Sequence, residues 1–195
     1  MFTLLLLGLG LGALTLVPPG PVSVTLMHVA VHRGRSAGLR SGAAIASADL
    51  ITGALAIAFL GLGTAALPSI AASTSVVASV AMIVMGGLLT ARPAGFGGLA
   101  VGIKRPARTL FALTALNPLT LLSWMAIIAA VPAATTTPQK AAVAAGVTVA
   151  SYCWHPFLGL VAGRVGRGIN ASATIRATRA SGVILILLGS IFAIA

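Results

Sequence analysis

Acid is almost absent from this chain: aspartate and glutamate together occur once, at Asp49, against twelve lysines and arginines in 195 residues. Only 7% of residues are charged, 5% are aromatic, and Cys153 is the sole cysteine. Each shortage removes a class of function. A single thiol excludes an intrachain disulfide and electron transfer through paired thiols of this chain. With one carboxylate, one thiol and no evident set of nucleophile, base and orienting group, the parts of an enzyme are missing. So little charge also leaves too little polar surface to coat a water-soluble globule.

What is abundant is hydrocarbon. Hydrophobic residues make up 58% of the chain and mean hydropathy is +1.11, which reads as an integral membrane protein. Six runs are nearly free of charge: 1–31, 43–67, 70–90, 110–131, 141–163 and 182–195. Most reach the roughly 20 residues that cross a bilayer core. Continuous runs favour helices, because barrel strands alternate lipid-facing and lumen-facing residues. The expectation is an all-α membrane protein of six transmembrane helices, the last beginning near Thr178. The N-terminal run lacks a basic leader segment and continues past its prolines, so it is read as a retained first span rather than a secretory signal.

The formal charge of +11 would suggest nucleic acid on a soluble chain, but its placement points elsewhere. Arg33, Arg35 and Arg40 follow the first run. Arg92, Lys104, Arg105 and Arg108 follow the third, and Arg164, Arg167, Arg176 and Arg179 the fifth. Lys140 alone lies in an even-numbered connection. This asymmetry predicts cytoplasmic odd connections, both termini outside the cytoplasm, and contacts with membrane lipid rather than nucleic acid.

Internal similarity suggests two halves. "ALTLVPPGPVS" from Ala13 and "ALTALNPLTLLS" from Ala112 align Pro19 with Pro118, and "FLGL" at Phe59 recurs at Phe157. Three spans per copy reverse the second copy across the membrane. The expected division is a first three-helix repeat over 1–91, a basic cytoplasmic linker over 92–108 and a second, inverted repeat over 109–195. Small residues such as Gly42, Ala46, Gly53, Ala54, Gly61 and Gly63 in the second run, with Ala141, Ala145 and Gly146 in the fifth, allow close helix approach within a protomer. A homodimer interface is compatible with them but not required.

Both halves break their first helix with proline, which removes a hydrogen bond that lipid cannot replace. Gly20 then caps a new helix starting at Pro21, and Asn117 caps one starting at Pro118. The N-termini of two half-helices inside the membrane suit a carboxylate, with hydroxyls available from Ser23, Thr25, Thr120 and Ser123. The candidate substrate-binding residues are therefore Pro19, Gly20, Pro21, Ser23, Asp49, Asn117, Pro118 and Thr120. Asp49, counted about two turns into the second run, costs at least about 2.5 kcal/mol if charged at a helix centre. It is assigned to hold a substrate ammonium or to carry a coupling proton. Structural alternatives are a pair with Arg40 or bonds to Ser47 or Thr52.

His28 and His32 stand four apart on one side of the first run, a spacing that suits a metal pair, with Cys153 and His155 as further donors. With no second carboxylate or thiol, no metal site is assigned and no cofactor is expected. His155-Pro156 reads as a kink in the fifth span. Trp124, Tyr152 and Trp154 read as interfacial anchors or pocket walls.

Taken together, "PPGPVS", "RGRSAGLRSG", the Asp of "ASAD", "NPLTLLSW" and "SYCWHPFLG" resemble the LysE (lysine exporter) family of amino-acid exporters, over nearly the whole length. The resemblance implies six spans, proton-driven export of amino acids across the plasma membrane, and a homo-oligomer. Relatives move other solutes, including metal cations, and Ala48 stands where a glycine commonly precedes the aspartate. Export of a metal or other toxic cation is the alternative reading, and a non-transporting membrane scaffold the lesser one.

Overall fold

The computed structural model describes residues 1–16, 21–66, 103–165 and 171–194, together with positions 76, 79, 80, 83, 84, 86–88, 90 and 91. Its helices are α1 (Phe2–Leu16), α2 (Pro21–Arg33), α3 (Arg35–Ala66), α4 (Pro106–Ala115), α5 (Pro118–Ala129), α6 (Thr137–Val165) and α7 (Ala171–Ile194). The described positions between 76 and 91 are helical as well. Among the described residues there is no strand. Pro19, Gly20, Arg92, Arg167 and most of the 92–108 linker lie outside the described residues.

Local chemistry sets the helix ends. Gly34 adopts the left-handed conformation, φ 82°. Its N–H closes α2 onto Ala30 at 2.9 Å, while its carbonyl accepts from Gly38 to open α3. Only glycine takes that backbone shape cheaply, so one residue turns the chain between helices. α6 opens on a capping box: Gln139 Oε1 accepts from the N–H of Thr136 at 2.9 Å and of Thr135 at 3.1 Å, which satisfies donors that lipid would leave bare.

α3 and α6 are long and apolar enough to cross a membrane alone, over Arg35–Gly61 and Thr137–Val165. α4 and α5 qualify as a third span when taken together, bent by 53°. The α4–α5 break follows the sequence pattern: Leu116 caps α4 through Ala112, and the Asn117 carbonyl accepts from Thr120 at 3.0 Å to begin α5. α2 likewise begins at Pro21.

Two boundaries differ from expectation. α3 starts at Arg35 rather than near Ala43, and α7 starts at Ala171 rather than near Thr178. Hydropathy measures transfer into lipid, whereas arginine is a good helix former and the backbone stays helical well outside the apolar run.

Close contacts of small residues give the helix directions. Added Cβ atoms at Gly38 and Gly42 would strike the backbones of Gly159 and His155. The numbers run oppositely, so α3 and α6 are antiparallel. Gly8 meets Val143 and Gly12 meets Val147, so α1 runs parallel to α6. Because Gly163 lies against Arg35 at the start of α3, α1 and α2 together follow the length of α6. On the other side, Arg33 Nη1 donates to the Lys104 carbonyl at 3.4 Å and Gly53 lies against the Trp124 ring. α4 and α5 therefore ascend with α3. α1 and α2 pack mainly on α6, and α4 and α5 mainly on α3. Gly86 lies against Gly182 and Ile186, and Thr90 against Gly182, an antiparallel approach to α7.

Not every small residue serves this packing. Ala54, Ala141 and Ala145 are exposed, whereas Gly8, Gly12, Gly38, Gly159 and Gly163 take up close contacts. The outer surface carries Leu6, Leu7, Leu50, Leu55, Phe59 and Phe157, a lipid-facing coat that water would not tolerate.

Candidate functional site

α3 spans Arg35–Gly61 and α6 spans Thr137–Val165, so their central residues fall at about 48 and 151. Asp49 and Ser151 meet there. Ser151 Oγ donates to Asp49 Oδ2 at 2.5 Å. His155, one turn further along α6, places Nδ1 3.0 Å from Ser151 Oγ and 3.8 Å from Asp49 Oδ2. The Trp124 ring of α5 lies against Gly53, one turn along α3 from Asp49. Asp49 is 4% exposed, Ser151 0%, His155 3% and Trp124 4%.

The helices bring these groups together because nothing stands between them. Gly42 lets the α3 backbone touch that of α6 at His155, and Gly53 lets Trp124 lie flat against α3. The carboxylate's partners are the Ser151 hydroxyl and a histidine, and among the described residues no lysine or arginine neutralises it. Hydrogen bonds to a charged group contribute about 1.5–3 kcal/mol each, which offsets a charge at this depth without abolishing its capacity to take a proton.

These partners correct several expectations. Arg40 is exposed, Ser47 bonds the Ala43 carbonyl and, at 2.8 Å, the Tyr152 hydroxyl, and Thr52 bonds the Ala48 carbonyl. Ser47 and Arg40 point to other faces of α3, whereas Thr52, on the same side as Asp49, gives its hydroxyl to the backbone. Nor is Asp49 near the start of its helix; the early start at Arg35 puts it about 21 Å in, at 1.5 Å per residue. α6 continues through Pro156, and the His155 side chain is buried. Cys153, two residues earlier, is exposed, so it cannot join His155 on one metal. Trp124 is no interfacial anchor, and Tyr152 and Trp154 sit level with midspan Ser151, with Trp154 beside Phe157 at 6.2 Å.

The remaining candidates lie along the half-helices. Ser23 and Thr25 are buried in the first turns of α2, and Asn117 and Thr120 are half-buried where α5 begins. Pro21 and Pro118 are the first residues of their helices. His28 and His32 stack, with ring centres 6.1 Å apart, but among the described residues no three metal-ligating side chains converge. Ser151 and His155 were missed as a pair. The available signal was "SYCWH": a hydroxyl and an imidazole four residues apart, hence on one helix face, inside an apolar span.

A helical membrane protein with one ionisable carboxylate sealed at midspan has the make-up of a solute translocator. The chain belongs to the LysE type translocator family, whose sequence model matches residues 13–195. That is a family of membrane transporters and not of enzymes. No curated protein and no solved structure gave a significant match.

Proposed function

We propose that this protein is a proton-coupled exporter of amino acids, with Asp49 as the residue that takes up and releases the coupling proton. The carrying observation is the burial of the chain's only acid at the α3–α6 contact, with no cation beside it among the described residues. A carboxylate at that depth without a countercharge is expensive to keep and functional by default. The crosswise packing supports reading 1–91 and 109–195 as inverted repeats joined by a basic 92–108 linker, since the second helices of the two halves run antiparallel.

In this reading an amino acid enters from the cytoplasm. Its carboxylate meets the half-helix ends at Pro19 to Ser23 and Asn117 to Thr120, and its ammonium reaches Asp49 as α3 and α6 part. Rocking of the halves then opens the site outward. The test is efflux from cells loaded with a panel of labelled amino acids and dipeptides, with and without a proton gradient. One or more amino acids are expected to leave faster only in cells making the protein, and collapse of the gradient is expected to slow them. No difference for any solute would end this reading.

The charge asymmetry further supports a plasma-membrane protein with both termini outside. Epitope tags at either end are expected to bind antibody on intact cells, and labelling only after permeabilisation would reverse the orientation. Export of a metal cation predicts instead that replacing His28 and His32 with alanine alters metal tolerance.

A further inference from the structure

We propose that Ser151 and His155 form a relay that loads and unloads Asp49, so that the coupling proton reaches the carboxylate through the histidine ring. This rests on the reading of Asp49 as the proton-carrying residue. At 3.8 Å, His155 Nδ1 and Asp49 Oδ2 lie beyond the roughly 3.2 Å reach of a hydrogen bond. Ser151 Oγ lies within reach of both, at 3.0 and 2.5 Å.

A hydroxyl has one hydrogen. When Ser151 gives it to Asp49, the contact with His155 is a hydrogen bond only if Nδ1 carries the ring proton. The ring is thus Nδ1–H, with the Nε2 lone pair free, while Asp49 is charged. A proton arriving at Nε2 makes an imidazolium. Nδ1–H then passes to Ser151 Oγ as the serine's own hydrogen passes to Asp49 Oδ2. The ring is left neutral and protonated on Nε2, Nδ1 now accepts from Ser151, and Asp49 is a neutral acid. One proton has entered and no heavy atom has moved; the reverse sequence unloads it.

Among the described residues the surrounding helices bring no competing group. α1 and α5 carry no titratable side chain. α2 brings His28 and His32, stacked on one another, and Arg33, which is exposed. Arg108 of α4, Arg35 and Arg40 of α3, Arg164 of α6, and Arg176 and Arg179 of α7 are exposed, and Lys140 sits at the start of α6. Tyr152 turns to Ser47, and Cys153 is exposed.

Two measurements test the relay. The first is nitrogen NMR of the full chain in lipid nanodiscs with ¹⁵N-histidine, the His155 signals being assigned by their loss in His155→Gln. At alkaline pH the His155 ring is expected as Nδ1–H with a bare Nε2, and an Nε2–H ring would overturn the relay. The second uses proteoliposomes loaded with a mixture of tritiated amino acids. Ser151→Ala and His155→Gln are expected to lose gradient-driven efflux by roughly a hundredfold, the scale of a positioned proton donor, and gradient-free exchange by far less. Ser151→Thr, which keeps the hydroxyl, is expected to restore the drive. Drive that survives both losses, or drive and exchange that fall together, overturns the proposal. If a variant does not fold, or the wild type moves no amino acid and the exporter reading fails, the wild-type tautomer still decides the relay.

Discussion

Asp49→Asn is expected to reduce gradient-driven efflux to the rate of protein-free liposomes while leaving the protein folded. Asparagine has nearly the same shape and keeps an oxygen that can accept from Ser151, so the α3–α6 contact survives. What it lacks is a group that ionises. The stability cost is therefore about 1 kcal/mol or less, the net worth of a typical hydrogen bond. Asp49→Ala separates the two effects, because it leaves the buried Ser151 hydroxyl without its carboxylate partner. Buried unpaired polar groups cost about 1–3 kcal/mol each, so this variant is expected to lose transport and also melt earlier in detergent. The measurements are initial efflux rates and thermal unfolding followed by size-exclusion. Gradient-driven efflux by Asp49→Asn at the wild-type rate would remove Asp49 from the coupling step.

A comparably large effect is expected at a residue with no chemistry. In Gly42→Leu the new Cβ would sit 2.5 Å from the carbonyl carbon and oxygen of His155 and 2.6 Å from the Pro156 nitrogen. These are backbone atoms of a membrane-spanning helix and cannot swing aside, so α3 and α6 must separate. Overpacking costs about 1–3 kcal/mol even in adaptable cores, and in lipid no hydrophobic force draws the helices back together. Separation also pulls Ser151 and His155 away from Asp49. Gly42→Leu is expected to yield little monodisperse protein and no transport. Gly10→Leu is the control, since an added Cβ there meets nothing within 4 Å and the residue is exposed. Equal yield and activity from the two variants would show that the α3–α6 approach tolerates a side chain at Gly42.

Much of the architecture was legible from residue type and order. Helix starts at Pro21 and Pro118 follow from a missing N–H and a fixed backbone angle, both local properties. The weight placed on Asp49 follows from its solitude in an apolar run. Its partners were not legible. Ser47, Thr52 and Arg40 are near in sequence, but α3 turns Ser47 and Arg40 away and the Thr52 hydroxyl goes to the Ala48 carbonyl. Ser151 is 102 residues distant, and reaching it depends on how two helices are rotated and staggered.

The amino-acid sequence by itself determined that the chain is a helical membrane protein, where its half-helices begin and which carboxylate matters, because hydropathy, proline geometry and charge act within a few residues. Only the tertiary structure decided that Asp49 lies at midspan facing Ser151, His155 and Trp124. That meeting depends on which glycines find a backbone to touch, a property of two surfaces that neither strand of sequence carries alone.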